Sequence, residues 1–223
     1  ISKIFLEGVL IEEFSYEEGL ILQRFVYQSG ELSYYEVYEY DSNNKIIRLS
    51  RYDKNDELKR YTEYTYNAEN LITKDELWNL SVGGFNGPFL TNVYTYELSQ
   101  DCPLVSYTRF HGEDSFVERK DFTYTDENCS YTSISYDAMD EITLETEVTF
   151  DAKRSIYESV ILQFGGAAHN PVKNISEFSS GSTNITTGEY EYNEHDYPIT
   201  LIETKTNSLG ATQTNYEFEY ICE

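Results

Sequence analysis

The dominant pattern along this chain is an alternation of hydrophobic and polar residues with a period of two. It is clearest in residues 142–150, where the even-numbered positions hold Ile, Leu, Thr, Val and Phe, and the odd-numbered positions hold Thr and Glu. Residues two apart on a β-strand lie on the same face of the sheet. The pattern therefore predicts strands that are buried on one face and exposed to water on the other.

A short unit built on this alternation recurs through most of the sequence. It begins with two aromatic residues at i and i+2, such as Tyr38 and Tyr40 or Tyr64 and Tyr66. A segment rich in Asp and Asn follows, and an aliphatic residue then restarts the alternation. Because Asp and Asn bond to their own backbone and tolerate the left-handed conformation of tight turns, the unit predicts a repeated β-hairpin.

The number of these turns indicates the fold class. About 15 turn segments predict about 16 strands of ordinary length, no segment has caps around a helical pattern, and no linker divides the chain. We therefore predict a single all-β hairpin-repeat domain spanning residues 1–223, an antiparallel meander rolled or flattened into a barrel-like sheet. A round barrel of that many strands encloses a channel. We expect the large tyrosines to help fill it, with aromatic side chains inward and acidic ones outward.

Two irregular segments interrupt the hairpin rhythm. Residues 83–89 contain three Gly and one Pro and come shortly after Trp78, the only tryptophan, and residues 165–171 form the second interruption. Binding residues concentrate on loops that a rigid scaffold carries; the alternative for the first segment is a loop folded over its own aromatic side chains. From these two segments we predict five ligand-binding residues: Trp78, Phe85, Phe89, His169 and Asn170.

The charge of the chain excludes several partners. The formal net charge is −24, and a strongly acidic surface repels phosphate backbones and anionic lipid headgroups. We therefore expect no nucleic-acid partner and no electrostatic binding to a membrane. Arg109, Arg119 and Lys120 are local exceptions to this acidity, and we expect each to pair with Glu or Asp across neighbouring strands.

Catalytic and metal-binding signatures are weak. The histidines lie in predicted turns far apart and lack metal-ligand spacing, and no nucleophile elbow, phosphate loop or dinucleotide motif is present. Residues 53–57 offer several oxygens but lack the glycine and distal Glu of a calcium-binding EF-hand, so they are explained as a turn. We predict no enzyme, no cofactor and no metal. Because carboxylates are abundant, a glycoside hydrolase is kept as the least favoured alternative.

The three cysteines leave the disulfide pairing open. Cys102 and Cys129 each follow an aromatic pair and are predicted at the same end of the sheet, two strands apart. Two strand spacings are about 9–10 Å, whereas a disulfide needs Cα atoms within about 7 Å. A bridge between them would require loop movement, and Cys222 is predicted to be free. The odd count does not fix the compartment.

Short motifs resemble known bacterial families. The Tyr-x-Tyr-Asp turn resembles the YD-type repeats of surface and toxin-shell proteins. The hairpins, the stretch His169–Asn174 and the turn Tyr190–Pro198 resemble a family of Bacteroides-type cell-envelope lipoproteins of unknown function. Asp196 stands where that family usually has glycine, which leaves the turn type open. The resemblance implies a porin-like fold and an envelope protein anchored through a removed N-terminal segment, and it supplies no catalytic residues.

These observations lead to a functional hypothesis. A porin turns an apolar face to lipid, whereas here one face is rich in tyrosine and the other in glutamate, so we expect a barrel that is not embedded in the membrane. We predict a non-enzymatic cell-envelope or secreted β protein that binds a ligand such as a glycan or peptide. The alternative is a structural or assembly module that contacts other envelope proteins.

Overall fold

The computed structural model describes residues 2–81, 87–97, 103–112, 115–125, 129–153 and 170–220. This part of the chain forms strands and turns and contains no helix. The sixteen strands are β1 (Lys3–Leu6), β2 (Val9–Glu17), β3 (Leu20–Gln28), β4 (Glu31–Tyr40), β5 (Ile46–Asp53), β6 (Leu58–Tyr66), β7 (Ile72–Asn79), β8 (Leu90–Tyr96), β9 (Leu104–His111), β10 (Ser115–Tyr124), β11 (Tyr131–Tyr136), β12 (Ile142–Phe150), β13 (Pro171–Phe178), β14 (Thr183–Tyr192), β15 (Pro198–Asn207) and β16 (Gly210–Glu219).

The strands form one closed barrel. Each pairs antiparallel with its neighbours in sequence, and β1 closes the sheet by pairing with β16, with Ile4 opposite Phe218. The predicted all-β antiparallel meander of about 16 strands is therefore confirmed. Alternate residues of each strand point into the barrel, and the residues between them point outward, as the period-two pattern predicts.

The recurring aromatic pair ends a strand and ties it to the preceding strand. The hydroxyl of Tyr66, the last residue of β6, donates to the carbonyl oxygen of Ile46, the first residue of β5, at 2.6 Å. This bond explains why a tyrosine, and not only an aromatic ring, recurs at the position. The equivalent bonds run from Tyr40 to Ile21 at 2.8 Å, from Tyr96 to Ile72 at 2.6 Å and from Tyr220 to Pro198 at 2.6 Å.

The Asp or Asn that follows the pair builds the turn. Oδ1 of Asp41 accepts the backbone N–H groups of Asn43 at 2.8 Å and Lys45 at 2.9 Å. Asn44, the fourth residue of the turn, has a φ of 62°. Asp196 has a φ of 64°, so the turn that the sequence left open is of the same kind. In four further turns, Oδ1 of the first residue likewise accepts two backbone N–H groups. These first residues are Asp53, Asn67, Asp137 and Asn193.

The inside of the barrel has two halves. We call the half beside turns 41–45, 67–71 and 193–197 the tyrosine end, and the half beside turns 53–57 and 137–141 the polar end. Burial raises the pKa of several tyrosines at the tyrosine end to about 12, namely Tyr16, Tyr40, Tyr66, Tyr96 and Tyr124. The buried apolar side chains are Ile4, Phe14, Ile21, Ile46, Ile72, Val148 and Phe218.

One cysteine is shown to be oxidised. Cys129 is disulfide-bonded, whereas Cys102 and Cys222 lie outside the described residues. Whether the partner of Cys129 is Cys102 therefore stays open, and a free thiol at Cys222 stays a prediction.

Candidate functional site: a polar pocket inside the barrel

Four charged side chains on consecutive strands form a chain of ion pairs inside the barrel. Arg24 on β3 binds Glu12 on β2 at 2.5 Å and Glu36 on β4 at 3.0 Å. Arg51 on β5 binds the other oxygen of Glu36 at 2.5 Å. Glu36 is only 4% exposed, so the predicted acid-out alternation is wrong at this position. The reason is that arginines on both neighbouring strands compensate its charge inside the barrel.

A second polar chain crosses β7 to β10. The side-chain amide of Asn92 donates to Asp75 at 3.0 Å, and Nε of Arg109 donates to the amide oxygen of Asn92 at 2.9 Å. Nη1 of Arg109 lies 2.9 Å from Glu118, which confirms the cross-strand acidic partner predicted for this arginine. The hydroxyl of Tyr94 donates to the second oxygen of Asp75 at 2.5 Å.

Arg119 and Lys120, the other two basic residues for which cross-strand acidic partners were predicted, differ from Arg109 in their contacts. Arg119 binds Asp121 on its own strand at 3.3 Å and Asp140 in the next turn at 3.1 Å, so its partners are acidic but do not lie across a strand pair. Lys120 points inward and makes no ion pair within the described residues. The acidic residue whose charge acts on Lys120 is Glu118 on its own strand, and a cross-strand partner for Lys120 stays a prediction.

Strand β6 lies between the two polar chains and contributes Arg60. Arg60 is the register partner of Arg51, so two inward arginines lie directly opposite each other. Arg51 binds Glu36 and also lies over the ring of Tyr34, 3.8 Å from its centroid. Arg60 makes no ion pair or hydrogen bond within the part of the chain that the structure describes. Like charges in directly opposite positions destabilise a sheet, so this arrangement needs a reason.

A cavity of about 260 Å³ lies at Arg60, between the two chains. The polar part of its wall consists of Arg60 and of the side chains at the facing ends of the two polar chains. Leucines provide part of its apolar wall. Ligand sites in proteins combine apolar walls with a few convergent polar groups, and the interior of a β-barrel is a frequent location. The polar residues are Glu36, Arg51, Arg60, Thr62, Tyr64, Asp75, Asn92 and Arg109, and the leucines are Leu49, Leu77 and Leu90.

Burial shifts the pKa of two groups in this wall. Burial raises the pKa of the Asp75 carboxyl, while the hydrogen bonds from Tyr94 and Asn92 oppose that change. Burial also lowers the pKa of Arg60, and the neighbouring charge of Arg51 adds to the effect. Both shifts report charges held away from water. Such groups are typical of functional sites, although structural networks contain them too.

The aromatic residues predicted from sequence lie elsewhere. Trp78 on β7 points outward, because its neighbour Leu77 lines the cavity, and it stacks on Tyr61 with 5.7 Å between ring centroids. Phe89 makes a T-shaped contact with His111 at 4.9 Å. Phe85 lies outside the described residues. Ligand binding at these residues stays a prediction, for a surface separate from the inner cavity.

Asn170, which belongs to the second irregular segment, lies at the tyrosine end, whereas Trp78 is on the polar half of β7. Asn170 is 1% exposed, its backbone N–H donates to Asp151 at 3.2 Å, and its side-chain amide donates to Tyr192 at 3.5 Å. Tyr192 also donates to Asp151. His169 lies outside the described residues. Trp78 and Asn170 are therefore at opposite ends of the barrel and do not form one site.

None of the polar residues of the cavity was predicted from the sequence. The available signal was a charged residue at the inward position of consecutive strands, as with Glu36 between Tyr34 and Tyr38. Among the described residues, no group of three or more His, Cys, Asp or Glu side chains could hold a metal ion. The same residues contain no helix with the length and apolarity to cross a bilayer.

Comparisons with known proteins support the fold. No protein-family model matches the sequence, and no curated protein matches it. The structure is similar to the crystal structure of a porin-like protein from Bacteroides uniformis ATCC 8492, with a TM-score of 0.61 and 12% sequence identity, over 93% of this chain and 88% of that chain. At this identity the likeness establishes the fold alone.

Two further crystal structures align with most of this chain. They are TcdB2-TccC3-TEV and TcdB2-TccC3 without its hypervariable C-terminal region, at 12% and 13% identity. The alignments cover 92% and 93% of this chain but 12% of each of those chains, with a TM-score of 0.35. A TM-score this low supports no argument about the present protein.

Proposed function

We propose that this protein is a non-enzymatic β-barrel of the cell envelope, or secreted, that binds a small polar ligand such as a glycan unit or short peptide in its inner cavity. The observation that carries the proposal is the cavity of about 260 Å³, with three arginines in its wall. Arginines and amides offer directed donors to hydroxyl, carbonyl and carboxylate oxygens. The leucines in the same wall suit the apolar faces of a sugar or peptide.

The envelope location is supported by two likenesses. The fold is similar to that of a porin-like protein from Bacteroides uniformis. The Tyr-x-Tyr-Asx hairpins of the sequence resemble those of Bacteroides-type envelope lipoproteins, which suggests a lipid anchor before the barrel.

The chemistry of the outer face supports a barrel that is not embedded in lipid. On β12, the outward residues Glu145 and Glu147 are exposed, and on β7 outward Lys74 and Glu76 form an ion pair at 3.0 Å. Membrane barrels instead carry a continuous apolar band on this face, and a charge at mid-bilayer costs about 2–4 kcal/mol for a basic residue. Charges on the outer face of strands favour contact with water.

The bonding of the two carboxylates in the cavity wall supports a binding role over hydrolysis. Both oxygens of Glu36 bind arginine. Oδ1 of Asp75 accepts a hydrogen bond from Asn92, and Oδ2 accepts one from Tyr94. A general acid or base needs an oxygen that faces the reacting atoms. These carboxylates instead hold the donors of the wall in place.

The proposal can be tested by filling the cavity. Leu90 and Val93 both lie on β8, and Leu90 lines the cavity whereas Val93 is 40% exposed. Isothermal titration calorimetry would screen monosaccharides, disaccharides and di- and tripeptides against the wild type, Leu90→Trp and the matched control Val93→Trp. We expect binding to the wild type and to Val93→Trp, and loss of binding in Leu90→Trp with unchanged circular dichroism. Equal binding by all three proteins would show that the ligand does not enter this cavity.

An outer row of aromatic residues favours a second function, contact with another envelope protein. Phe25, Tyr35 and Tyr52 follow one another across β3 to β5, with centroid distances of 5.9 and 5.1 Å. The stacked pair of Tyr61 and Trp78 lies on the next two strands. Aromatic residues are enriched at protein interfaces.

A pulldown from envelope extract would test this second function. Tyr35→Ala and Trp78→Ala should each lose the partner, while Ile199→Ala, which removes an exposed aliphatic side chain on β15, should retain it. Retention of the same partner by all three variants would exclude the aromatic row as the contact surface.

A further inference from the structure

The two polar chains inside the barrel are interrupted at strand β6, which contributes Arg60, Thr62 and Tyr64 to the cavity wall. The first ends at Arg51 on β5 and the second begins at Asp75 on β7. Arg60 on the strand between them makes no ion pair or hydrogen bond in the described part of the chain, and the acidic charge that acts on it is that of Glu36. The cavity lies at this break, with Arg60 in its wall.

At this break the positive charge of Arg60 has no acidic residue directly opposite it, although the sequence is rich in acidic residues. The chain carries 40 acidic residues against 16 Lys and Arg, yet the residue opposite Arg60 is another arginine, Arg51. Burial and this neighbouring charge both lower the pKa of Arg60, and the charge of Glu36 offsets them only in part. A half-buried guanidinium that makes no ion pair has lost part of its hydration, and a bound anion would replace that lost interaction.

We propose that the cavity binds the carboxylate of a small organic acid and that Arg60 is the main partner of that carboxylate. This inference rests on the proposed function and deepens it, because it names the charged group by which the ligand is recognised. The planar guanidinium presents two parallel N–H donors, which match the two oxygens of a carboxylate. A carboxylate bound in this cavity would lie between the two polar chains.

The surroundings favour a monocarboxylate over a phosphate. Glu36 and Asp75 lie in the same wall, and a dianion would be repelled by them more strongly than a single negative charge. Leu49, Leu77 and Leu90 provide apolar contact for the rest of the molecule. A sugar acid or a peptide with a free C-terminal carboxylate combines these features within the volume of the cavity.

The first measurement separates a binding role of Arg60 from a structural one. A guanidinium that belongs to the structural network destabilises the free protein when it is removed, as expected for Arg51→Gln, which takes one partner from the buried Glu36. Removal of an uncompensated cation relieves repulsion instead. We expect Arg51→Gln to lower the Tm by at least about 4 °C and Arg60→Gln to leave the Tm unchanged or raised.

The second measurement uses matched pairs of probes. Calorimetry would compare D-glucuronate with D-glucose, and N-acetyl-alanyl-alanine with its C-terminal amide, at constant ionic strength. We expect the charged member of at least one pair to bind the wild type about 10- to 100-fold more tightly than its neutral partner, as hydrogen bonds to a charged group predict. Arg60→Gln should abolish this preference. Arg48→Gln should retain it, because Arg48 points outward over Tyr61, 3.9 Å from the ring centroid.

The outcomes distinguish the inference from the proposed function. Equal binding of charged and neutral probes, unchanged in Arg60→Gln and lost in Leu90→Trp, would support the cavity as a ligand site and overturn the carboxylate inference. A fall in Tm for Arg60→Gln as large as that for Arg51→Gln would overturn the role of Arg60 as a ligand partner. If Leu90→Trp still binds the charged probes, both the proposed function and the carboxylate inference are overturned, because the site would lie elsewhere.

Discussion

The hydroxyl of Tyr66 offers a direct test of what the repeated tyrosine contributes. It donates to the carbonyl oxygen of Ile46 at 2.6 Å, and burial raises the pKa of Tyr66 to about 12. Tyr66→Phe keeps the ring and removes only this bond. A single hydrogen bond contributes about 1 kcal/mol net to stability, so Tyr66→Phe should lower the free energy of unfolding by about 1 kcal/mol.

Repetition of the motif multiplies the effect. Tyr40 and Tyr96 make the equivalent bonds on β4 and β8, two strands from Tyr66 on either side, or about 10 Å away. Effects at that separation usually add. The triple substitution of Tyr40, Tyr66 and Tyr96 by Phe should therefore cost about 3 kcal/mol. With a urea slope of about 3 kcal/mol/M, the midpoints should fall by about 0.3 M for Tyr66→Phe and about 1 M for the triple variant.

Tyr35 provides the matched control. Its hydroxyl donates to Asp56 at 2.9 Å on the exposed outer surface, where the same bond competes with water and should contribute less than about 0.5 kcal/mol. Urea unfolding followed by the fluorescence of Trp78 would measure all variants at a common slope. If Tyr66→Phe lowers the midpoint no more than Tyr35→Phe does, the inward bond is not the reason for the tyrosine.

Three other changes test the barrel interior and its pH dependence. Gly188→Ala should destabilise by about 1–3 kcal/mol, because a Cβ there would lie 2.9 Å from a tyrosine ring and 3.0 Å from a backbone oxygen, whereas Gly87→Ala meets nothing within 4 Å and should be nearly neutral in urea unfolding. Glu36→Gln should cost about 2–3 kcal/mol in the same assay, because two arginines lose a buried partner, while Glu39→Gln, whose side chain is 51% exposed, should cost little. Alkaline titration followed by tyrosinate absorbance should show Tyr66 and its equivalents ionising at about pH 12. Since the folded-state pKa is raised, stability should be complete below the unfolded value of about pH 10 and be lost as the pH rises through about 12.

The fold could be predicted because its signals are local. Each hairpin carries its own turn residue, such as Asp41, and its own strand-ending tyrosine, such as Tyr40. On β12, Thr146 and Val148 are buried and Glu145 is exposed, as the alternation indicated. The count of turns gave the number of strands, and antiparallel neighbours followed from the short connections.

The inner cavity could not be predicted because its signal is distributed over the barrel. Glu36 has the same alternation phase as its tyrosine neighbours, and its burial depends on Arg24 and Arg51 on other strands. Acidic residues are mostly exposed in proteins, so the alternation alone places Glu36 on the tyrosine face without explaining how its charge is compensated there. Trp78 was selected for its rarity and its place beside a loop, but the phase of β7 turns it outward.

The closing strand pair has a consequence for how the chain assembles. Every other pair joins strands that are neighbours in sequence, whereas Ser2 bonds to Glu219 across 217 positions. Hairpins with short connections form early, and a closure over such a distance carries the largest entropic cost. Until β1 meets β16, the sheet has two open edges with unpaired backbone groups, and each edge can pair with another molecule. Refolding at high concentration should therefore yield linked oligomers, and dilution should favour the closed monomer.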